Sequence, residues 1–285
     1  MKRVVVVGSS EYLGTAVTSR ASQSYKVLAT FRKTPCLVTN LNTDHVRLDF
    51  GIDTTVEDFK NLIRKDDVVI LASNVEHGQP NDIVISNYEG FLQSLVDRGA
   101  KTVYVSSDAI FDGKAQFYTE ESIPNPITHY GRRKLRAERI IGDSSNCIIR
   151  TSYLYGSNGY TVDKRLLELD KAATEGKAIF RHKNLIRNPI HVEDLANALL
   201  QLKDQCGIFH VAGPTMSVYD FSHFLAEEAG IAVSIKEVGL STEESARIPM
   251  NTNLVSIKLQ GLGINISSMA DNRGMIYLGS RANYA

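Results

Sequence analysis

The sequence predicts an α/β protein built on a doubly wound parallel sheet. The β-branched run Val4–Val7 is typical of a strand that is buried on both faces, as strands of parallel sheets are. A glycine-containing turn and a helix-forming segment follow it. Apolar runs then alternate with helix-forming segments up to Arg150, which is the order expected when helices cover both faces of one sheet. A chain of 285 residues has room for one large domain or two small ones.

Apolar periodicity, capping residues and glycines place the individual elements. The expected strands cover residues 3–7, 26–31, 46–49, 67–71, 102–106, 147–150, 207–211 and 234–238. The expected helices run from 12 to about 22, from 54 to about 64, through the segment that carries Tyr88 and Leu92, from 130 onward, over 162–174 and 195–202, from 218 to about 229, and from 254 to near 261. Thr54 with Glu57 should form a capping box, and Ser217 and Asn253 should cap the last two helices.

Composition limits the classes of function. Hydrophobic residues make up 43% and charged residues 22% of the chain, as in ordinary globular proteins. The formal net charge is zero, so no global field attracts nucleic acid or an anionic membrane, and no apolar run is long enough to span a bilayer. The three cysteines are widely spaced and lack a metal-ligand pattern, which favours a reducing compartment, the cytoplasm, and no metal site.

A hydroxyl pair and a Tyr–Lys pair carry the chemistry. Ser106 and Ser107 stand at the end of the strand 102–106, and Tyr130 and Lys134 are four residues apart at the start of a helix. Residues at that spacing share a helix face, so Lys134 should stabilise a phenolate and lower the Tyr130 pKa from its usual value of about 10. Such a tyrosine can exchange a proton with an alcohol or ketone, while a serine holds the carbonyl oxygen.

A phosphate-binding turn follows the first strand. Gly8, Ser10, Tyr12, Leu13 and Gly14 lie where the strand turns into a helix, and helix N-termini bind pyrophosphate. Ala72 and Ser73, at the end of the fourth strand, should border the same ligand.

The end of the second strand indicates which dinucleotide is bound. NAD-selective sites carry an acidic residue there, whereas Arg32 and Lys33 stand here and no acidic residue occurs between Lys26 and Thr43. Arg32 can pair with a 2′-phosphate, so we expect NADP(H) rather than NAD(H).

Three segments resemble a known superfamily. S-S-D-A-I-F-D-G, Y-G-R-R-K-L-R-A-E and R-T-S-x-x-Y-G resemble the extended short-chain dehydrogenase/reductases, the superfamily of NAD-dependent sugar-nucleotide epimerases, dehydratases and reductases, and most closely the dTDP-4-dehydrorhamnose reductase group. The resemblance covers nearly the whole chain. That group also contains non-catalytic relatives, such as the regulatory subunit of methionine adenosyltransferase.

The resemblance implies roles for individual residues. Ser107, rather than Ser106, orients the carbonyl, Tyr130 is the proton donor, and Lys134 holds the nicotinamide ribose. The resemblance further implies that Asp49 contacts the adenine and that Asn87 supports the lysine. It also implies that Asp108 contacts the substrate and that Arg187 binds the nucleotide diphosphate.

Two residues depart from the family pattern. Gly8 and Gly14 match G-x-x-G-x-x-G, but Glu11 replaces the middle glycine. Either its carboxylate swings out to solvent, or dinucleotide binding is weakened or lost. Ala109 stands where the reductase group has tyrosine, and the second carboxylate of the dehydratases is missing after Asp108, so dehydration is not expected.

These observations lead to a fold and a ranked set of functions. We expect a Rossmann domain over residues 1–151 and 187–214, and a small C-terminal α/β substrate lobe over 152–186 and 215–285. The first expected function is reduction of a keto group on a nucleotide-activated sugar, in a protein that could form a homodimer. The alternatives are a regulatory or binding subunit without turnover, motivated by Glu11, and a sugar-nucleotide epimerase, which Arg32 argues against.

Overall fold

A seven-stranded parallel sheet forms the centre of the protein. The computed structural model describes residues 2–269 and residue 271. The strands of this sheet are β1 (Arg3–Val7), β2 (Lys26–Phe31), β3 (Thr43–Arg47), β4 (Val68–Leu71), β5 (Lys101–Ser107), β6 (Cys147–Thr151) and β11 (Gly207–His210). Their order is β11-β6-β5-β4-β1-β2-β3, and every neighbouring pair is parallel. The predicted doubly wound α/β fold is therefore confirmed.

Helices cover the sheet, and short strand pairs lie beyond it. The helices are α1 (Tyr12–Ala21), α2 (Asp53–Leu62), α3 (Asp82–Asp97), α4 (His129–Ile141), α5 (Lys164–Thr174), α6 (Val192–Gln201), α7 (Val218–Glu228) and α8 (Thr242–Ser245). The remaining strands are β7 (Leu154–Tyr155), β8 (Ile179–His182), β9 (Ile186–Arg187), β10 (Ile190–His191), β12 (Met216–Ser217) and β13 (Ile235–Val238). They pair as β7 with β10, β9 with β12, and β8 with β13.

The valines of β1 explain why the sequence there is continuously apolar. Val4 and Val6 belong to the hydrophobic cluster on one face of the sheet, and Val5 and Val7 belong to the cluster on the other. Successive side chains of a strand point to opposite faces, so a strand covered on both sides needs apolar residues at every position.

A third hydrophobic cluster lies outside the central sheet. It joins α5 and α7 to the β8–β13 pair and contains Tyr155, Leu166, Phe221 and Leu225. The cluster gives the predicted C-terminal substrate lobe a hydrophobic core of its own. The residues at which the chain passes between the Rossmann domain and this lobe stay a prediction. The end of the predicted lobe, residues 272–285, lies outside the described residues.

The strand order reverses between β1 and β4. The chain builds β2 and β3 on one side of β1 and β4, β5 and β6 on the other. Loops leaving the carboxyl ends of β1 and β4 run in opposite directions, which opens a crevice there. The turn after Val7 and the segment after Leu71 meet at this crevice, and the serines at the end of β5 lie at the same carboxyl edge of the sheet.

Several predicted starts of elements differ from the structure by one to three residues, among them those of the third strand, of α2, of α5 (Lys164 instead of 162) and of α6 (Val192 instead of 195). The third strand was expected over residues 46–49 but spans Thr43–Arg47, because Asp49 forms a turn in which its side chain accepts a hydrogen bond from the Gly51 N–H at 3.0 Å. The capping box at Thr54 is also wrong, since the N-cap of α2 is Ile52, without a side-chain capping bond.

The predicted last helix is wrong. Asn253 lies in an extended segment whose carbonyl accepts a hydrogen bond from the Tyr118 N–H at 2.8 Å, and the Val255 N–H donates back to the Tyr118 carbonyl. The neighbouring Leu254 N–H donates to the Asn188 side chain. These partners, distant in sequence, hold the backbone extended, and the segment that follows has only one short 3₁₀ turn, Gln260–Leu262.

The described part of the chain contains neither a membrane-spanning helix nor a metal-binding cluster. No helix within residues 2–269 is long and apolar enough to cross a membrane. The same residues contain no group of three or more acidic, histidine or cysteine side chains that could hold a metal ion.

Replacement of Gly14 by alanine should destabilise the protein. A Cβ at this position would lie 1.9 Å from the Gly8 carbonyl oxygen, and that backbone is fixed between two strands. We expect Gly14→Ala to lower the free energy of unfolding by about 1–3 kcal/mol, measured by urea denaturation.

Gly90→Ala is the matched control. Gly90 lies exposed in α3, and a Cβ there would meet no atom within 4 Å. Alanine should stabilise the helix by roughly 0.5–1 kcal/mol. An equal effect of the two substitutions would contradict the close contact between α1 and β1.

Candidate active site

A cavity of about 630 Å³ occupies the crevice at the carboxyl ends of β1 and β4. Such a volume lies within the usual range of small-molecule and cofactor sites. The predicted cofactor residues that line it are Gly8, Ser10, Arg32, Asp49 and Ser73. The cavity therefore lies where the sequence places the dinucleotide.

Backbone contacts at two glycines form the inner wall of the cavity. Gly8 has φ +87°, and a Cβ on it would lie 2.6 Å from the Ser73 Cα, so β1 and β4 approach too closely for a side chain. Gly14 packs even more closely against the Gly8 carbonyl oxygen, 1.9 Å from where its Cβ would lie. Glu11, by contrast, has φ −86° and ψ 164°, an extended conformation open to any residue. The missing glycine at position 11 therefore causes no backbone strain.

The Glu11 side chain takes a course that the sequence analysis did not consider. Its carboxylate turns across the crevice and accepts a hydrogen bond from the Asn74 N–H at 3.1 Å, while the residue still lines the cavity. The surrounding protein displaces water and raises the pKa of Glu11, and the Asn74 hydrogen bond and the Lys134 charge oppose that rise.

The start of α1 offers backbone donors to an anion. The Glu11 side chain makes no capping hydrogen bond, and the first amides of a helix have no partner within it. The side chains of Tyr12 and Leu13 point elsewhere: the Tyr12 hydroxyl donates to the Gly156 carbonyl at 2.5 Å, and Leu13 is buried in the core. Any contact of these two residues with a ligand would come from their amides.

The outer end of the cavity is basic. Arg32 and Lys33 are exposed on its wall, and Asp49 lies on the same wall after β3. Ala72 is buried in the hydrophobic core, whereas Ser73 faces the cavity. The buried Ser73 Oγ has no hydrogen-bond partner among the described residues. Unpaired amides, an unpaired hydroxyl and two cations fit a phosphate-containing dinucleotide.

The packing of α4 brings the predicted catalytic residues together. Thr128 caps the helix by accepting a hydrogen bond from the Gly131 N–H at 2.9 Å. A Cβ on Gly131 would lie 2.0 Å from the Ala109 carbonyl oxygen, so the first turn of α4 touches the 3₁₀ turn that follows Ser107. Tyr130 thereby lies close enough to the Ser107 hydroxyl for that hydroxyl to affect its pKa, and the hydroxyl itself donates to Asp108 Oδ1 at 3.1 Å.

Lys134 lies beneath Tyr130 and is paired with a carboxylate that the sequence analysis missed. Its Nζ is 5.8 Å from the Tyr130 ring centroid, 3.2 Å from Glu76 Oε2, and donates to the Val105 carbonyl at 3.1 Å. The Tyr104 hydroxyl donates to Glu76 Oε1 at 2.7 Å. Only 3% of the Lys134 side chain and 2% of the Glu76 side chain are exposed. Glu76 lies five residues beyond Leu71, the last residue of β4, and its place near a strand carboxyl end is the one signal that could have identified it.

The expected fall in the Tyr130 pKa is wrong for the protein without ligands. Burial raises the pKa of Tyr130; the Lys134 charge and the nearby Ser107 hydroxyl oppose that rise, and the Glu76 and Asp108 carboxylates add to it. Burial lowers the pKa of Lys134, but Glu76 and Tyr130 outweigh it, so the lysine pKa is raised. Lys134 is thus a stable cation whose charge Glu76 largely balances.

Asn87 does not reach the lysine. Its amide nitrogen donates to the Phe50 carbonyl at 2.9 Å and to Asp53 Oδ1 at 2.7 Å, which ties α3 to the start of α2. The expected support of Lys134 by Asn87 is therefore wrong, because Asn87 lies on the part of α3 that faces α2. Glu76 holds the lysine instead.

Asp108 and Arg187 lie together in a polar network. Asp108 accepts hydrogen bonds from the Ser152 hydroxyl at 2.8 Å and the Thr252 hydroxyl at 2.6 Å, and its carboxylate lies 3.8 Å from Arg187 Nε. The buried Arg187 guanidinium donates to the carbonyls of Pro249 and Met250. Both groups are occupied by the chain's own partners, so their contact with a substrate stays a prediction.

Comparisons with known proteins agree with this architecture. The family model described as "RmlD substrate binding domain" matches residues 1–269. The chain is 28% identical to methionine adenosyltransferase 2 subunit beta of Xenopus tropicalis, over 75% of this chain and 69% of that protein.

Two solved structures have the same fold over nearly the whole chain. A hypothetical dTDP-4-dehydrorhamnose reductase from Sulfolobus tokodaii is 26% identical, with a TM-score of 0.75 and coverage of 97% of this chain and 100% of that one. The dTDP-4-dehydrorhamnose reductase of Bacillus anthracis, solved in complex with NADP, is 21% identical, with a TM-score of 0.73 and coverage of 99% and 100%. The resemblance to extended short-chain dehydrogenase/reductases is confirmed, and the chain belongs to the RmlD substrate-binding domain family.

Proposed function

We propose that the protein is an NADP(H)-dependent reductase that acts on a keto group of a nucleotide-activated sugar. The observation that carries the proposal is the convergence of Ser107, Tyr130 and Lys134 at the carboxyl edge of the sheet, next to a cavity of cofactor size. The dTDP-4-dehydrorhamnose reductases with the same fold support it, as does the NADP in the Bacillus anthracis structure.

The three side chains divide the work on the carbonyl group. The bound dinucleotide supplies the hydride. Tyr130 donates its hydroxyl proton to the carbonyl oxygen, and a raised pKa keeps that proton in place until the oxygen becomes basic. Ser107 donates a second hydrogen bond to the same oxygen, and such preorganised donors stabilise the developing negative charge. Once Tyr130 has given up its proton, the buried Lys134 ammonium beside it stabilises the phenolate that remains.

The cavity wall supports the preference for NADP(H). Arg32 and Lys33 provide two cations where the ribose of the adenosine half would lie. Asp49 lies on the same wall and could accept from the adenine amino group. The substrate is expected to bind over Ser107, where Ala109 leaves more room than the tyrosine of the reductase group.

A second candidate function is a binding or regulatory subunit without turnover. The observation that favours it is the Glu11 carboxylate on the cavity wall, where it repels a pyrophosphate. The relatives named methionine adenosyltransferase 2 subunit beta support it. This candidate predicts that no keto-sugar nucleotide is reduced and that a stable protein partner copurifies with the chain.

Replacement of Tyr130 by phenylalanine should abolish turnover. The variant removes the proton donor, and a positioned acid contributes roughly 10²–10⁴-fold to such reactions. We expect Tyr130→Phe to lower kcat for dTDP-4-dehydrorhamnose reduction by at least about 100-fold, with an unchanged Kd for NADPH, in a steady-state assay that follows NADPH oxidation.

Tyr25→Phe is the control for this substitution. Tyr25 lies next to the amino end of β2, at the end of the sheet away from the cavity. Its replacement should leave kcat and the Kd for NADPH unchanged. Full turnover of the Tyr130→Phe enzyme would reject Tyr130 as the proton donor.

Glu11 should weaken cofactor binding in a pH-dependent manner. Its carboxylate repels the pyrophosphate, so Glu11→Gln should bind NADP⁺ about tenfold more tightly at neutral pH, as measured by calorimetry. Because the pKa of Glu11 is raised, protonation removes the charge at a less acidic pH than for an ordinary glutamate. The difference between wild type and variant should therefore narrow as the pH falls.

Glu57→Gln provides the charge-matched control. Glu57 is exposed on α2 and pairs with Lys60, outside the cavity wall. A constant ratio of affinities for Glu11→Gln and wild type at all pH values would show that the Glu11 charge does not act on the dinucleotide.

A further inference from the structure

Glu76 is a buried carboxylate to which the Ser–Tyr–Lys motif assigns no role. Its two oxygens have different neighbours: Oε2 lies 3.2 Å from the Lys134 ammonium, and Oε1 accepts a hydrogen bond from the Tyr104 hydroxyl at 2.7 Å. Burying a charge is costly unless it is paired, so the carboxylate and the ammonium stabilise each other in place. The Lys134 end of this pair lies 5.8 Å from the centroid of the Tyr130 ring.

The backbone around Glu76 is anchored on α4. One Arg133 side-chain nitrogen lies 3.3 Å from the Glu76 carbonyl oxygen and 3.2 Å from the Gly78 carbonyl oxygen and donates to both. The next residue, His77, places its ring edge-on to the Tyr130 ring with 5.8 Å between centroids. The segment after β4 is thereby attached to the helix that carries Tyr130 and Lys134, and the carboxylate has a fixed position.

We propose that Glu76 is a positioning residue that pins the Lys134 ammonium against the end of β5 and keeps Tyr130 in its protonated, proton-donating form. This inference rests on the proposed reductase function and adds a fourth residue to its site. A reductase needs a protonated tyrosine at the moment of hydride transfer, whereas a free ammonium beside the phenol would favour the phenolate.

The charges around the Tyr130–Lys134 pair come from five elements. The groups around it are Glu76 and His77 after β4, Tyr104 and Ser107 on β5, Asp108 after β5, Tyr88 on α3, Glu11 before α1, and Arg133 on α4, which binds the Glu76 carbonyl. Glu76 is the carboxylate in direct contact with Lys134, and the pKa of Tyr130 is raised in its presence.

Removing the Glu76 charge should lower the pH of the first titration step, whether Tyr130 or Lys134 loses its proton first. Tyr130 and Lys134 lie close together, so the loss of a proton from one changes the pKa of the other. A fixed negative charge beside the pair opposes the loss of a proton from either member. Removal of that charge therefore lets the first proton leave at lower pH.

The test is a pH titration of Tyr130 in the ligand-free protein. Tyrosine labelled with ¹³C at the ring carbon that bears oxygen reports ionisation by NMR, and Tyr130→Phe assigns the signal. In Glu76→Gln, which keeps an acceptor for the Tyr104 hydroxyl, we expect the first step of the titration to move down by roughly one to two pH units. The alkaline limb of kcat/KM for carbonyl reduction should move by the same amount.

Glu89→Gln is the matched control, since it removes an equal charge from the Arg136 pair between α3 and α4. Its titration should match that of wild type. Glu76→Asp keeps the charge but retracts it by one methylene, so its shift should be smaller and in the same direction; it carries the test if the glutamine variant fails to fold.

An unchanged Tyr130 titration in whichever Glu76 variant folds would overturn the role of Glu76. This outcome is distinct from failure of the reductase proposal, because the NMR titration needs neither cofactor nor substrate. A shifted titration in a protein that reduces no keto-sugar nucleotide would leave the role of Glu76 in place and reject only the reductase.

Discussion

The close backbone contact between β1, β4 and α1 is the constraint on which the rest of the site depends. Gly8 touches Ser73, and Gly14 touches the Gly8 carbonyl, at distances that leave no room for a Cβ. The contact sets the start of α1, with its unpaired amides, over the crevice where the strand order reverses. It also directs the chain after β4 toward α4. The position of the segment that carries Asn74 and Glu76 follows from the same contact.

Two carboxylates, those of Glu11 and Glu76, place negative charge near the crevice and the predicted catalytic residues. Glu11 binds the Asn74 amide and projects negative charge into the phosphate region. Glu76 balances the Lys134 ammonium beneath Tyr130. One charge opposes the binding of a dinucleotide, and the other stabilises the proton donor that a reductase requires.

Local pattern predicted most of the fold, and distant contacts account for what it missed. The run Val4–Val7 and the alternation after it identify a sheet covered on both faces, because each segment carries its own signal. The spacing of Tyr130 and Lys134 likewise predicts that they share a helix face. Asn253, however, lies in an extended segment whose partner Tyr118 is far away in sequence, so its capping signal was overridden.

In the candidate site too, local pattern predicts some features, and contacts between distant parts of the chain determine the others. Ser107, Tyr130 and Lys134 meet as their motif predicts. Glu76 has no spacing signal, since its role arises only when the chain after β4 turns back over β5. The pKa of Tyr130 also depends on burial and on that carboxylate, neither of which the motif contains.

Titration of the purified protein with NADPH and with NADH, followed by nicotinamide fluorescence, tests the central claim most directly. A working crevice with Arg32 and Lys33 on its wall predicts that NADPH binds at least about tenfold more tightly than NADH, because only NADPH carries the 2′-phosphate. Absence of binding by either cofactor would contradict the account. It would mean that Glu11 closes the phosphate site and that the protein acts through a partner.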